Sequence, residues 1–330
     1  MRRKHKRRLR KKDIVKRSRI IITTSLFCLT FMLAIGYSVF NTNINLSVKG
    51  NIYSKRDLCY ETSDNGDGTV TITDYDKTCG SEVNIPPTIK GKIVTKINDA
   101  SSNINTTSNS FCNKNLTSVT IPDTIKYIGK FAFYANKIKT LNLGNSVEEI
   151  NDEAFNSNQL TNIIFPSSLK KIGHGAFLNN YLTSIPSLEN IDYGRGAFTL
   201  NNINPENAFI YEKNSDGSTD YTTLNSYAAR KWVDNLNIPN TVKKIEYYSL
   251  RWAQTRVITF QEGVERIEGF ALLQTNAEEI NLPSTIVSIN SYAFNQCPNI
   301  KIININRKEN AISGAPWDAT NATINWTGTN

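Results

Sequence analysis

The chain has 330 residues, 38 Lys and Arg against 29 Asp and Glu, a net charge of +9, and two histidines, His5 and His174. So few imidazoles exclude a histidine-rich metal centre and a Ser-His or Cys-His relay. The positive balance is local, because residues 1–19 hold 12 Lys or Arg and one Asp and leave 26 basic and 28 acidic side chains after them, so a nucleic-acid-binding domain is excluded too.

In chain order, the basic tail (1–19) leads into residues 20–40, IIITTSLFCLTFMLAIGYSVF, which carry no charge over 21 positions. As a helix this run spans about 30 Å of hydrocarbon. Positive charge just before it keeps the N-terminus in the cytoplasm and sends the remainder outside. An uncleaved anchor and a cleaved signal, cut at Ala34-Ile35-Gly36 or Gly36-Tyr37-Ser38, are both open. Residues 41–58 are a polar spacer.

Residues 59–79, CYETSDNGDGTVTITDYDKTC, read as two strands around Asn65-Gly66-Asp67-Gly68. Cys59 and Cys79 flank them and are expected to pair in an oxidising compartment. The same turn is no calcium loop: glycines take the third and fifth ligand positions and Tyr75 the twelfth. With the coil that follows, residues 59–97 form a cap, which an array needs because its open end exposes an apolar section and a strand edge. Residues 99–110, rich in Ser, Asn and Thr, form a loop. Cys112 and Cys297 are expected inside the coils, as small hydrophobes.

From residue 116 one phrase recurs: LTSVTIPDTIKYIGKFAF, then KIKTLNLGNSVEEINDEAF, then QLTNIIFPSSLKKIGHGAF. Small-plus-large pairs fall at Ser110-Phe111, Ala132-Phe133, Ala154-Phe155 and Ala176-Phe177, 22 residues apart, followed by Ala197-Phe198. After an interruption they return at Ser249-Leu250, Ala271-Leu272 and Ala293-Phe294. A fixed period of this size is the signature of stacked repeats, in which each coil buries its neighbour's apolar side. Val119 and Ile121 alternate with Ser118 and Thr120, as in a strand with one face inside. Pro122, Pro166, Pro239 and Pro283 mark the corners where the strands stop. The expected fold is therefore mainly β: a solenoid of short strands and few short helical turns over residues 98–330, preceded by one N-terminal transmembrane or signal helix.

The phrasing resembles the treponemal-type leucine-rich repeats of BspA-like bacterial surface proteins, from Cys59 to the C-terminus. The resemblance implies a curved, strand-lined solenoid, secretion or surface display, and binding without catalysis. It also supports a hairpin leaning on the solenoid within an insert at about 199–231, where FIYEK and TDYTTLNSY flank Asp216-Gly217. Tyr211, Tyr221, Tyr227 and Trp232 are expected to cover the neighbouring coils in preference to forming a binding platform. Trp317 and Trp326 have the bulk to seal the last coil, and GAPW also ends similar family members.

No catalytic, cofactor or metal motif stands out, and His174 reads as a lone turn residue. What remains is the outward strand row: Ser118, Thr120, Thr140, Asn142, Asn162, Asn235, Asn237, Thr259, Glu279 and Asn281, with Glu82, Asn84, Ile164, Val257, Ile302 and Asn304 in register. Small uncharged groups of this kind can touch proteins or glycans without desolvating charge. The expected function is a scaffold that binds extracellular proteins or glycans, held at a bacterial membrane through residues 20–40 or secreted. Two alternatives stand beside it: an exported hydrolase using Glu206, Glu212, Asp216 and Asp220, and a purely structural envelope protein.

Overall fold

The computed structural model describes residues 54–100 and 110–328. The basic tail, the apolar run at 20–40 with Cys28, and most of the loop at 99–110 lie outside the described residues. What is described is a mainly β solenoid of about 11 turns with almost no helix.

Each coil is built from the alternation in its sequence. Val119 and Ile121 are buried while Ser118 and Thr120 face outward in the strand Ser118–Thr120. Pro122, which has no N–H to give, ends that strand. The chain then turns through buried Ile125 into a second, two-residue strand, Tyr127–Ile128, and on to Ala132-Phe133. Equal coil length puts like residues over like: Ser118 pairs with Thr140, and Tyr127 with Glu149, all in parallel. The phenyl rings of Phe111, Phe133, Phe155, Phe177 and Phe198 therefore stack at 4.8, 5.0, 5.5 and 5.6 Å between centroids, close to the rise of about 4.8 Å between neighbouring strands. At Gly173 an added Cβ would lie 2.3 Å from the Asp152 backbone nitrogen, so only glycine allows the coils to approach there.

Two expectations need correction. First, the outward strand row is not continuous. Thr183 still bonds Thr161, 22 positions back, but Asp192 pairs with Lys171, 21 back. One residue is missing from that coil, and on this side of the solenoid no strand forms between Thr140–Asn142 and Val233–Ile238. Asn162 is exposed but belongs to no strand, and neighbouring Ile164 is left 85% exposed.

Second, the hairpin at Phe209–Lys213 and Thr219–Tyr227 does not lean on the array from outside. Its second strand pairs in parallel with Lys244–Ile245 and is itself a rung. The N-terminal hairpin is built the same way: Tyr60–Asp64 pairs antiparallel with Thr69–Tyr75, which pairs parallel with Lys92–Ile97. The solenoid is thus two hairpin-led arrays in series over one continuous core.

The ends are closed as their bulk suggests. Cys59 and Cys79 form a disulfide with Cα atoms 5.9 Å apart. At the other end Trp317 is fully buried with its ring edge-on to Phe294 at 6.1 Å, and Trp326 packs partly buried against the core. Cys112 and Cys297 are buried thiols; burial pushes the Cys297 thiol up to about 11, which keeps it protonated and unreactive.

Candidate functional site

The predicted row falls into two patches. Ser118, Thr120, Thr140 and Asn142 lie on the three-stranded sheet Glu82–Asn84, Ser118–Thr120, Thr140–Asn142. Asn235, Asn237, Thr259, Glu279 and Asn281 lie on the five-stranded sheet that begins with Val233–Ile238 and ends with Thr323–Trp326. Val257 turns out buried. The side chains of the second patch bind one another: Asn304 donates to Asn281 at 2.8 Å and Asn325 donates to Asn304 at 3.0 Å. Beside them runs a charged row that was not anticipated, in which Arg256 grips Asp234 through two bonds of 2.7 and 2.9 Å and Lys301 meets Glu278 at 2.9 Å. Its signal was in the sequence, as alternating charge at the repeat spacing.

Three of the four insert carboxylates, Glu212, Asp216 and Asp220, are held by neighbours. Asp216 accepts from the backbone and hydroxyl of Ser218, and Asp220 from those of Thr222, so both are held below the usual carboxylate range by turn hydrogen bonds. Glu206 caps nothing and sits exposed in the turn Pro205–Asn207. Glu212 is pushed up by burial while Arg195, 3.8 Å away, opposes the shift, and Asn225 donates to it at 3.2 Å. Of the aromatics, Tyr227 is core and Tyr211 is partly buried against it, whereas Tyr221 and Trp232 stay 59% and 51% exposed. Among the described residues no three His, Cys, Asp or Glu side chains gather to hold a metal.

A concavity lies at the seam between the arrays. Most coils carry a projecting turn around the small-plus-large pair, as at residues 174–177, 195–198 and 247–252, but residues 225–231, NSYAARK, run through without one. The missing turn leaves a notch of about 350 Å³. Glu153, His174, Arg195 and Thr199 stand on one wall and Tyr248, Arg251 and Trp252 on the other. The Arg251 guanidinium carbon lies 3.5 Å from the Trp252 ring centroid and 5.6 Å from that of Tyr248. It forms no ion pair with a carboxylate, although the charge of Glu153 acts on it across the notch, and its buried Nε has no hydrogen-bond acceptor. Thr199 Oγ1 is likewise buried without a partner. Arg195, by contrast, is bound to Glu246 at 3.1 Å. His174, exposed as expected, accepts the Arg195 backbone N–H at Nδ1 (2.8 Å), which in the neutral ring leaves the proton on Nε2.

A mainly β solenoid with this coil length and these corner residues defines a leucine-rich-repeat protein of the bacterial surface-protein type. The profile of the BspA type leucine-rich repeat region matches in six copies across residues 92–214 and 223–323, more than half of the sequence, and the chain belongs to that family. A leucine-rich repeat protein from Eubacterium ventriosum shares the fold at 23% identity, with 83% of this chain and 77% of that one aligned and a TM-score of 0.55. A leucine-rich repeat protein from Bacteroides ovatus aligns at 20% identity over 81% and 69% of the two chains (TM-score 0.48), and the pneumococcal vaccine antigen PcpA at 19% over 81% and 83% (TM-score 0.45). No curated protein sequence matches.

Proposed function

We propose that the protein is a non-catalytic binding scaffold displayed outside a bacterial cell, which presents its repeat surface to extracellular proteins or glycans. The observation that carries this reading is the arrangement of two stacked arrays whose outward strands hold neutral Asn and Thr groups, which can bind without desolvating charge. The basic-then-apolar N-terminal sequence supports export, with residues 20–40 as membrane anchor or signal. Family membership supports a surface role.

The test is to screen the full-length protein in mild detergent against extracellular-matrix proteins and a glycan array. Saturable binding in either panel is expected, and its absence from both sinks the reading. Protease shaving of intact cells adds the topology: the repeats should be cut from outside, and full protection would contradict display.

A further inference from the structure

The scaffold reading gives the molecule a surface, and the seam notch gives that surface a point with a defined chemistry. We infer, resting on that reading, that the notch is a binding site for an acidic sugar unit of the uronic acid kind, with the sugar carboxylate on Arg251 and the ring beside Tyr248.

The argument starts from the cation. A guanidinium half-removed from water, lying on two aromatic faces and lacking any carboxylate partner, is a poor arrangement for stability alone. It is a good arrangement for a ligand carboxylate, because the stacked, planar fork keeps its orientation and offers paired donors. The neighbouring cation cannot substitute, since Glu246 already holds Arg195.

The opposite wall selects a sugar. Glu153, whose Oε2 accepts from Asn156 at 2.9 Å, supplies an acceptor. His174 Nε2–H supplies a donor, and the partnerless Thr199 hydroxyl can act as either. Mixed donors and acceptors suit ring hydroxyls. A peptide adding as a strand would need a free strand edge. The Glu153, Gly175 and Trp252 N–H groups are taken, by the carbonyls of His174, Arg195 and Leu273. The notch volume of about 350 Å³ sits at the small end of ligand pockets, which run from about 300 to 1,000 Å³, and so fits one or two sugar rings.

The same geometry explains why the site falls where it does. The corner positions facing the notch from the first array are Gly175 and Gly196, both with positive φ and neither with a side chain to fill the space. The equivalent corner in the second array is Tyr248, at φ 62 in the left-handed corner conformation that Phe131 and Phe270 share, so its ring stands at the notch as the end of the stack Tyr248-Phe270-Tyr292.

The test is calorimetric titration of the full-length protein in detergent with galacturonic acid dimers, with galactose dimers of the same linkage, with acetate and with an Asp–Asp dipeptide. The acidic dimer should bind, and the neutral dimer, acetate and dipeptide should each bind about tenfold or more weakly. Arg251→Gln should lose about tenfold or more affinity for the acidic dimer, Arg251→Lys should fall between, and exposed Arg266→Gln should match the parent. Equal binding by a folded R251Q, or by the neutral dimer, overturns the site. Equal binding by acetate or the dipeptide overturns the sugar. Should R251Q not fold, hydrogen exchange on the parent protein decides: added dimer should protect residues 196–199 and 248–252, and protection only on the strand faces overturns the proposal. Binding in the matrix and glycan panels that survives R251Q would remove this inference and leave the scaffold reading intact.

Discussion

The two arrays share a 22-residue coil but close it differently. In the first, the position three residues after the phenylalanine of each Ala-Phe pair is a buried asparagine: Asn136, Asn158, Asn180 and Asn201. Each works as a bracket between coils. Asn180 Oδ1 accepts from the Leu160 N–H at 3.1 Å, and its Nδ2 donates to the carbonyls of Phe155 at 2.9 Å and Phe177 at 3.2 Å. In the second array the same positions hold Ala253, Thr275 and Cys297, and the phenylalanine column becomes Leu250, Leu272 and Phe294. There the outward strands are longer, with Val233–Ile238 and Thr255–Phe260 pairing over most of their length. In the first array the equivalent strands have three residues. The repeat period thus sets rise and register, while the obligation to pair buried backbone groups can be met by side-chain amides or by a longer ladder.

This contrast can be broken at graded cost. Phe155→Ala, which empties the middle of a five-ring stack, should destabilise by about 4 kcal/mol in urea unfolding. Asn180→Ala orphans the buried Leu160 N–H and takes one of two amide donors from each of the Phe155 and Phe177 carbonyls, which Asn158 and Asn201 still serve, and should cost about 3 kcal/mol by the same measurement. Replacing Cys59 and Cys79 by serine should cost about 3 kcal/mol, seen as faster hydrogen exchange in the N-terminal hairpin and not in the insert hairpin, which has no disulfide. Thr275→Val sits at the asparagine position of the second array but removes the hydroxyl bond to the Ala253 carbonyl, which the Asn276 N–H also serves, and a long bond of 3.4 Å from the Ala277 N–H, so about 1 kcal/mol is expected. A cost for T275V as large as that for N180A would erase the distinction between the arrays.

The solenoid was legible because stacking needs only equal spacing, and the Ala-Phe pairs show it without knowledge of any contact. The hairpins were legible from their Asn-Gly and Asp-Gly turns, and the buried Trp317 from its bulk at a chain end. The asparagine brackets carried an equally plain signal, recurring three places after Phe133, Phe155, Phe177 and Phe198, yet asparagine reads first as a surface residue. Loss of the strand at Asn162 left no mark in the hydrophobic pattern, because its own coil keeps the regular length and the coil one residue short follows it. The seam notch could not be read locally at all. It exists because one coil lacks a turn, and its walls join Gly196 to Tyr248 across the insert.

The side-chain bracket is tested most directly by hydrogen exchange on Asn158→Ala, because the Asn158 side chain accepts from the Ile138 N–H at 3.1 Å. Exchange at Ile138 should quicken by about a hundredfold while amides of residues 257–281 keep their parent rates. An unchanged rate at Ile138, or the same acceleration in both arrays, would contradict it.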